Sequence, residues 1–211
     1  MFKLPLVALL LLIAMVQPAS AADTCRILAL GDSLTAGYGL PEKDAFPTVL
    51  QKLLREEGVP AEITNAGVSG DTSAGGRARV DWLLQGEEYD LALVALGAND
   101  ALRGLSPERL RENLSAIVET LQAGGIRVVL AGMKAPRNLG PEYEQRFNAV
   151  YPDLAEKYGL ALHPFLLEKV AADPALNQGD GIHPNAEGAR VIANDLLPLI
   201  KREARVACGL D

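Results

Sequence analysis

Histidine and cysteine are scarce in this chain: His163 and His183 are the only imidazoles, and Cys25 and Cys208 the only thiols, among 211 residues. With no H-E-x-x-H segment either, little material is left for a zinc centre, and no metal is expected. Neither G-x-x-x-x-G-K-[ST] nor G-x-G-x-x-G occurs, so the common phosphate-cradling loops are missing and no nucleotide cofactor is implied. Lysine and arginine never run beyond pairs, and the formal net charge is −7. A nucleic-acid partner needs clustered cations, so that class is excluded. There is no repeat, low-complexity tract or linker, and one domain is the economical reading.

Long apolar stretches are confined to the start of the chain. Lys3 provides a positive first region, Leu4 to Val16 is apolar except for one proline, and Ala19-Ser20-Ala21 is a small-residue cleavage pattern. The stretch is well short of the ~20 residues that a spanning helix needs. Residues 1–21 therefore read as a cleaved signal peptide and residues 22–211 as the mature domain, periplasmic or secreted, with no stable membrane span.

Along that domain, apolar runs alternate with amphipathic segments. Ile27 to Leu30, Leu91 to Leu96 and Ile126 to Ala131 are nearly unbroken apolar, as strands covered on both faces must be. Further strands are predicted near Ala61 to Asn65 and Leu160 to His163. Phe46, Val49, Leu50, Leu53 and Leu54 recur at helical spacing, as do Leu110, Leu114, Ile117, Val118 and Leu121. Ser106 can cap the second of these helices, Pro107 fits its first turn, and Gly124-Gly125 can end it. Helices are also predicted near Thr72 to Leu84, Pro141 to Tyr158 and Asn185 to Arg202. Repeated βα units of this kind build a three-layer α/β/α fold around a parallel sheet.

Four polar blocks fall where the predicted strands end. Gly31-Asp32-Ser33-Leu34 follows the first strand, Ser69-Gly70-Asp71-Thr72 the second and Gly97-Ala98-Asn99-Asp100 the third, while Asp180-Gly181-Ile182-His183 precedes the last helix. In open α/β sheets, functional groups gather outside the carboxyl ends of the strands, so these blocks should converge on one edge. A serine hydroxyl becomes a nucleophile when a base takes its proton and a carboxylate fixes that base. Ser33, His183 and Asp180 supply the three groups. Pro184 favours a helix start directly behind the imidazole. Asp180 beside Gly181 also reads as a turn residue, and both roles can coexist.

In this order the blocks closely resemble the GDSL or SGNH hydrolase family, and the likeness spans the whole mature chain. G-D-S-L-T-A-G-Y-G together with D-G-I-H-P-N is most similar to its secreted branch of thioesterases, arylesterases and lysophospholipases. The resemblance implies five parallel strands in flavodoxin-like order and a monomer; no cofactor is expected. It also implies a Ser33, Asp180, His183 triad and an oxyanion hole formed by the backbone amides of Ser33 and Gly70 with the side chain of Asn99. Leu102 and Leu105, with the loop Met133 to Pro141, would border the substrate, a small-molecule acyl ester or thioester. A carbohydrate O-acetylesterase or an acyltransferase is the alternative within the same family. Ser69 begins a segment like a nucleophile elbow but has Asp71 where the last glycine belongs, so it reads as loop structure. His163 reads as a packed residue, and Asp32, Asp71 and Asp100 as loop braces.

Export places Cys25 and Cys208 where a disulfide persists. With His183 at the active edge, the last helix runs back about 25 Å, close to the length of a six- or seven-residue strand. Cys208 would then arrive beside Cys25 at the opposite edge. Two free thiols in the terminal segments are the alternative.

Overall fold

Cys25–Gly31 forms strand β1, followed in the chain by β2 (Ala61–Gly67), β3 (Leu91–Ala95), β4 (Arg127–Ala131) and β5 (Ala161–His163). The structure is a computed structural model that describes residues 24–210; the expected signal peptide and its cleavage site lie outside the described residues. All strands pair in parallel, in the order β2-β1-β3-β4-β5. All five residues of β3 are buried, as are the last five of β1. Helices cover both faces of these strands, so neither face can alternate with polar residues.

The helices are α1 (Ser33–Ala36), α2 (Phe46–Glu56), α3 (Ser73–Leu83), α4 (Ala98–Leu102), α5 (Pro107–Ala123), α6 (Pro141–Tyr158) and α7 (Ala186–Ala207). α2 packs on α7, while α3 packs on α5 and α5 on α6, giving the three α/β/α layers. Phe46, Leu50 and Leu54 bury the stripe of α2; Leu110, Leu114, Ile117, Val118 and Leu121 bury that of α5. The Ser106 hydroxyl accepts hydrogen bonds from the Glu108 and Arg109 amides, and α5 stops at Gly124. Thr72 caps α3 and Asn185 caps α7 through their side chains.

Two features of this architecture set up the site. β1 is flanked by β2 on one side and β3 on the other, so successive connections leave it in opposite directions and a crevice opens at the carboxyl ends of β1 and β3. The second feature is the length of α7. Its 22 residues extend five beyond the predicted end at Arg202, because Ile200 and Ala204 continue its buried stripe. At 1.5 Å per residue the helix runs roughly 33 Å, and Cys208 sits at its C-cap. Cys208 forms a disulfide with Cys25, with the Cα atoms 5.6 Å apart.

Candidate active site

Ser33 opens α1 immediately after β1. Asp32 is the N-cap, its carboxylate accepting a hydrogen bond from the Leu34 amide at 2.9 Å. This turn presents Ser33 Oγ at the carboxyl edge while leaving the residue only 9% exposed. As the first residue of a helix, Ser33 has a backbone N–H with no intrahelical acceptor.

His183 arrives from the far end of the chain, just ahead of α7. Its Nε2 lies 2.9 Å from Ser33 Oγ and its Nδ1 lies 2.7 Å from Asp180 Oδ2. The other oxygen, Asp180 Oδ1, accepts hydrogen bonds from the Ile182 and His183 amides, both at 3.0 Å. The carboxylate thus has its geometry fixed by backbone on one side and presents its second oxygen to the imidazole. These bonds, the His183 side-chain contact foremost, lower the Asp180 pKa to about 2. An ionised Asp180 puts the imidazole proton on Nδ1, which leaves Nε2 with a lone pair facing the serine hydroxyl. Tyr38 lies against the ring, with centroids 4.6 Å apart.

Gly70 occupies the third position of a tight turn closed by the bond from Asp71 N–H to the Val68 carbonyl. Its φ of +85° is the left-handed conformation that such a turn requires and that glycine adopts without steric cost. The Gly70 N–H makes no hydrogen bond among the described residues. Asn99 lies on α4, a short helix where the sequence reads only as loop. Its Nδ2 donates to the Asp71 carbonyl at 2.9 Å and lies 3.4 Å from Asp32 Oδ2.

The neighbouring aspartates each hold a segment in place. Asp71 pairs with Arg79, whose other nitrogen donates to the Gly31 carbonyl. Asp100 accepts bonds from the Ser73 amide and hydroxyl. Asp32 is fully buried, and loss of hydration raises its pKa to about 6. Ser69 lies exposed in the turn.

A cleft of about 600 Å³ opens beside Ser33 and His183, within the range of small-molecule sites. Ala101, Leu102, Met133, Phe165, Leu167 and Ile182 make its lining largely apolar. Leu105 does not line it. Gly104, at φ +60°, turns the chain after α4, and the Leu105 carbonyl accepts a bond from the Tyr143 hydroxyl instead. Tyr38, Phe165 and Ile182 are site residues that the sequence reading misses; the only signal for Ile182 is its place beside His183. A second cleft of about 550 Å³, lined by Arg26, Glu62, Thr64 and residues 84–88, contains none of these groups.

Residues 29–191 match the GDSL-like Lipase/Acylhydrolase family. The chain belongs to that family. Esterase TesA of Pseudomonas aeruginosa is 38% identical over 192 residues, covering 91% of this chain and 94% of the relative. Thioesterase 1/protease 1/lysophospholipase L1 of Escherichia coli strain K12 is 37% identical over 199 residues, covering 92% and 93%. The crystal structure of AlinE4, an SGNH-hydrolase family esterase, superposes with a TM-score of 0.74 at 47% identity, covering 87% of this chain and 98% of that one. As a GDSL-like acylhydrolase, the protein is a serine ester hydrolase.

Proposed function

We propose that the protein is an exported esterase and thioesterase that releases acyl groups through a covalent intermediate on Ser33. The observation that carries this reading is the continuous chain from Asp180 Oδ2 through His183 to Ser33 Oγ, at 2.7 and 2.9 Å. His183 Nε2 takes the hydroxyl proton as Ser33 Oγ attacks the acyl carbonyl. The carbonyl π electrons move onto oxygen, and that oxyanion is held by the Ser33 and Gly70 amides and by Asn99 Nδ2. One Asn99 hydrogen is engaged by the Asp71 carbonyl, while the 3.4 Å contact to Asp32 is weak enough to yield to an oxyanion. Collapse of the tetrahedral adduct expels the alkoxide or thiolate, which receives the proton from His183. Water, deprotonated by the same imidazole, then attacks the acyl-serine and releases the acid.

The apolar cleft supports acyl chains longer than acetyl as substrates, and so favours this reading over a sugar O-acetylesterase. An acyltransferase would use the same intermediate with an alcohol in place of water. Export rests on the signal pattern of residues 1–21 and accords with the Cys25–Cys208 bridge.

Mature protein incubated with p-nitrophenyl esters and acyl-CoA thioesters of graded length is expected to hydrolyse them and to show an acyl adduct by intact mass. Ser33→Ala should lose both, with kcat reduced at least about 10⁴-fold. Turnover that survives in Ser33→Ala would overturn the acyl-serine reading.

A further inference from the structure

The Gly70 amide can stabilise an oxyanion only if it keeps pointing at the site, and glycine by itself fixes nothing, since it gives the backbone its widest conformational freedom. The loop from Gly67 to Thr72 is tied down at both ends. Val68 N–H donates to the Gly31 carbonyl at 3.1 Å, and beyond the loop the Ser73 amide donates to Asp100 at 2.8 Å. Its middle, from Val68 to Gly70, is exposed.

α4 and its C-cap meet that middle with two side chains one helical turn apart. Asn99 and Arg103 stand at i and i+4, joined by the bond from Arg103 N–H to the Asn99 carbonyl at 3.1 Å, and this spacing puts both on one helix face. Asn99 Nδ2 donates to the Asp71 carbonyl at 2.9 Å and Arg103 Nη2 donates to the Gly70 carbonyl at 2.8 Å. Two consecutive carbonyls of the loop are therefore gripped from one turn of helix. The Gly70 bond is the only one the Arg103 guanidinium makes among the described residues. It is charge-assisted, hence stronger than an ordinary amide bond. Arg103 is exposed and contributes nothing to the buried core.

We propose that Arg103 is a positioning residue for the oxyanion hole, holding the Gly70 carbonyl so that the Gly70 N–H stays registered against Asn99. This rests on the oxyanion roles assigned above. The Gly70 carbonyl and the Asp71 N–H belong to one peptide unit, so the Arg103 bond and the turn bond from Asp71 to Val68 together anchor that plane, against which the Gly70 N–H is set by the Gly70 φ of +85°. Such preorganisation matters most in the transition state, when charge develops on the carbonyl oxygen, and little while the neutral ester is being bound. The signature is accordingly a loss in kcat with KM preserved.

Steady-state kinetics on p-nitrophenyl butyrate would compare Arg103→Ala, Arg103→Lys and Asn99→Ala with the unaltered protein, alongside binding of an alkyl boronic acid, which forms a tetrahedral adduct on the serine. Arg103→Ala is expected to lower kcat about tenfold with KM within about twofold, to weaken boronate binding in parallel, and to leave the thermal midpoint unchanged. Lysine at 103 should recover part of the loss, as should guanidinium ion added to Arg103→Ala. A rise in KM with kcat intact would make Arg103 a substrate contact and overturn the proposal. So would unchanged kinetics in Arg103→Ala while Asn99→Ala loses about 10²-fold or more. Full activity in Asn99→Ala would sink the oxyanion reading itself, an outcome separable from the first two.

Discussion

His183 and His163 both stand beside an aspartate, yet the two pairs are built for different ends. Asp180 reaches His183 at 2.7 Å while two backbone amides hold its other oxygen. Asp195 lies 3.4 Å from His163 Nε2 without forming a hydrogen bond, and its other oxygen is taken at 2.5 Å by Lys169. The remaining nitrogen of His183 meets a serine hydroxyl; the other side of His163 is engaged by the Phe165 backbone. Burial lowers the His163 pKa, with Asp195 only partly opposing it. The lesson is that a carboxylate beside an imidazole is not itself a catalytic signature. What separates the pairs is a carboxylate oxygen hydrogen-bonded to one ring nitrogen and a serine hydroxyl within reach of the other.

Substitutions in the two pairs should separate them. The largest effect is expected from Asp180→Asn, which keeps the side-chain shape but favours the wrong imidazole tautomer; kcat should fall about 10³- to 10⁴-fold with the fold intact by circular dichroism. Retention of a tenth of the activity would erase the distinction between the pairs. Asp32 extends the contrast to a carboxylate buried without a cation. Its folded pKa near 6 lies above the usual carboxylate value, so ionisation opposes folding. Stability tied to Asp32 is greatest below about pH 3.8, falls as the pH rises through 6, and stays low above it. Asp32→Asn should therefore stabilise the protein at pH 7 by an amount on the order of 2 kcal/mol, a gain that vanishes in acid. Urea unfolding at pH 4 and pH 7 would read this directly, and a gain that grew toward acid would contradict it.

The smallest effect belongs to the second pair. His163→Gln should leave kcat within about threefold. Because the folded His163 pKa is lowered, its neutral form favours folding, and this contribution is lost as the pH falls through the ordinary imidazole range. The substitution should remove that loss, detectable as a flatter thermal midpoint between pH 7 and pH 5.

The contrast between His163 and His183 was already legible in the sequence, because one follows an apolar strand and the other follows D-G-I ahead of a proline. The strands and long helices were legible for the same reason: burial on both faces of a parallel sheet leaves continuous apolar runs, and caps such as Ser106 mark helix starts. Less was legible where a side chain's partner lies far away in the chain. Tyr38 against His183 and Arg103 against Gly70 depend on loops meeting at the crevice, and no local periodicity encodes such a meeting. Leu102 and Leu105 look equivalent as apolar residues of one loop, but the turn at Gly104 sends only Leu102 toward the cleft. The far end of α7 is less legible, since Lys201-Arg202-Glu203 looks like a polar terminus in the sequence while Glu203 is buried against Arg127 and Arg202.

The bridge between Cys25 and Cys208 encloses 183 residue steps and every strand and helix of the described residues. Covalently, residues 25–208 form a closed ring. A protease that cuts one exposed connection, such as the segment from Gln85 to Glu88, would open the ring without dividing it. The nicked protein would keep its mass apart from one added water, and its two pieces would part only after reduction and unfolding.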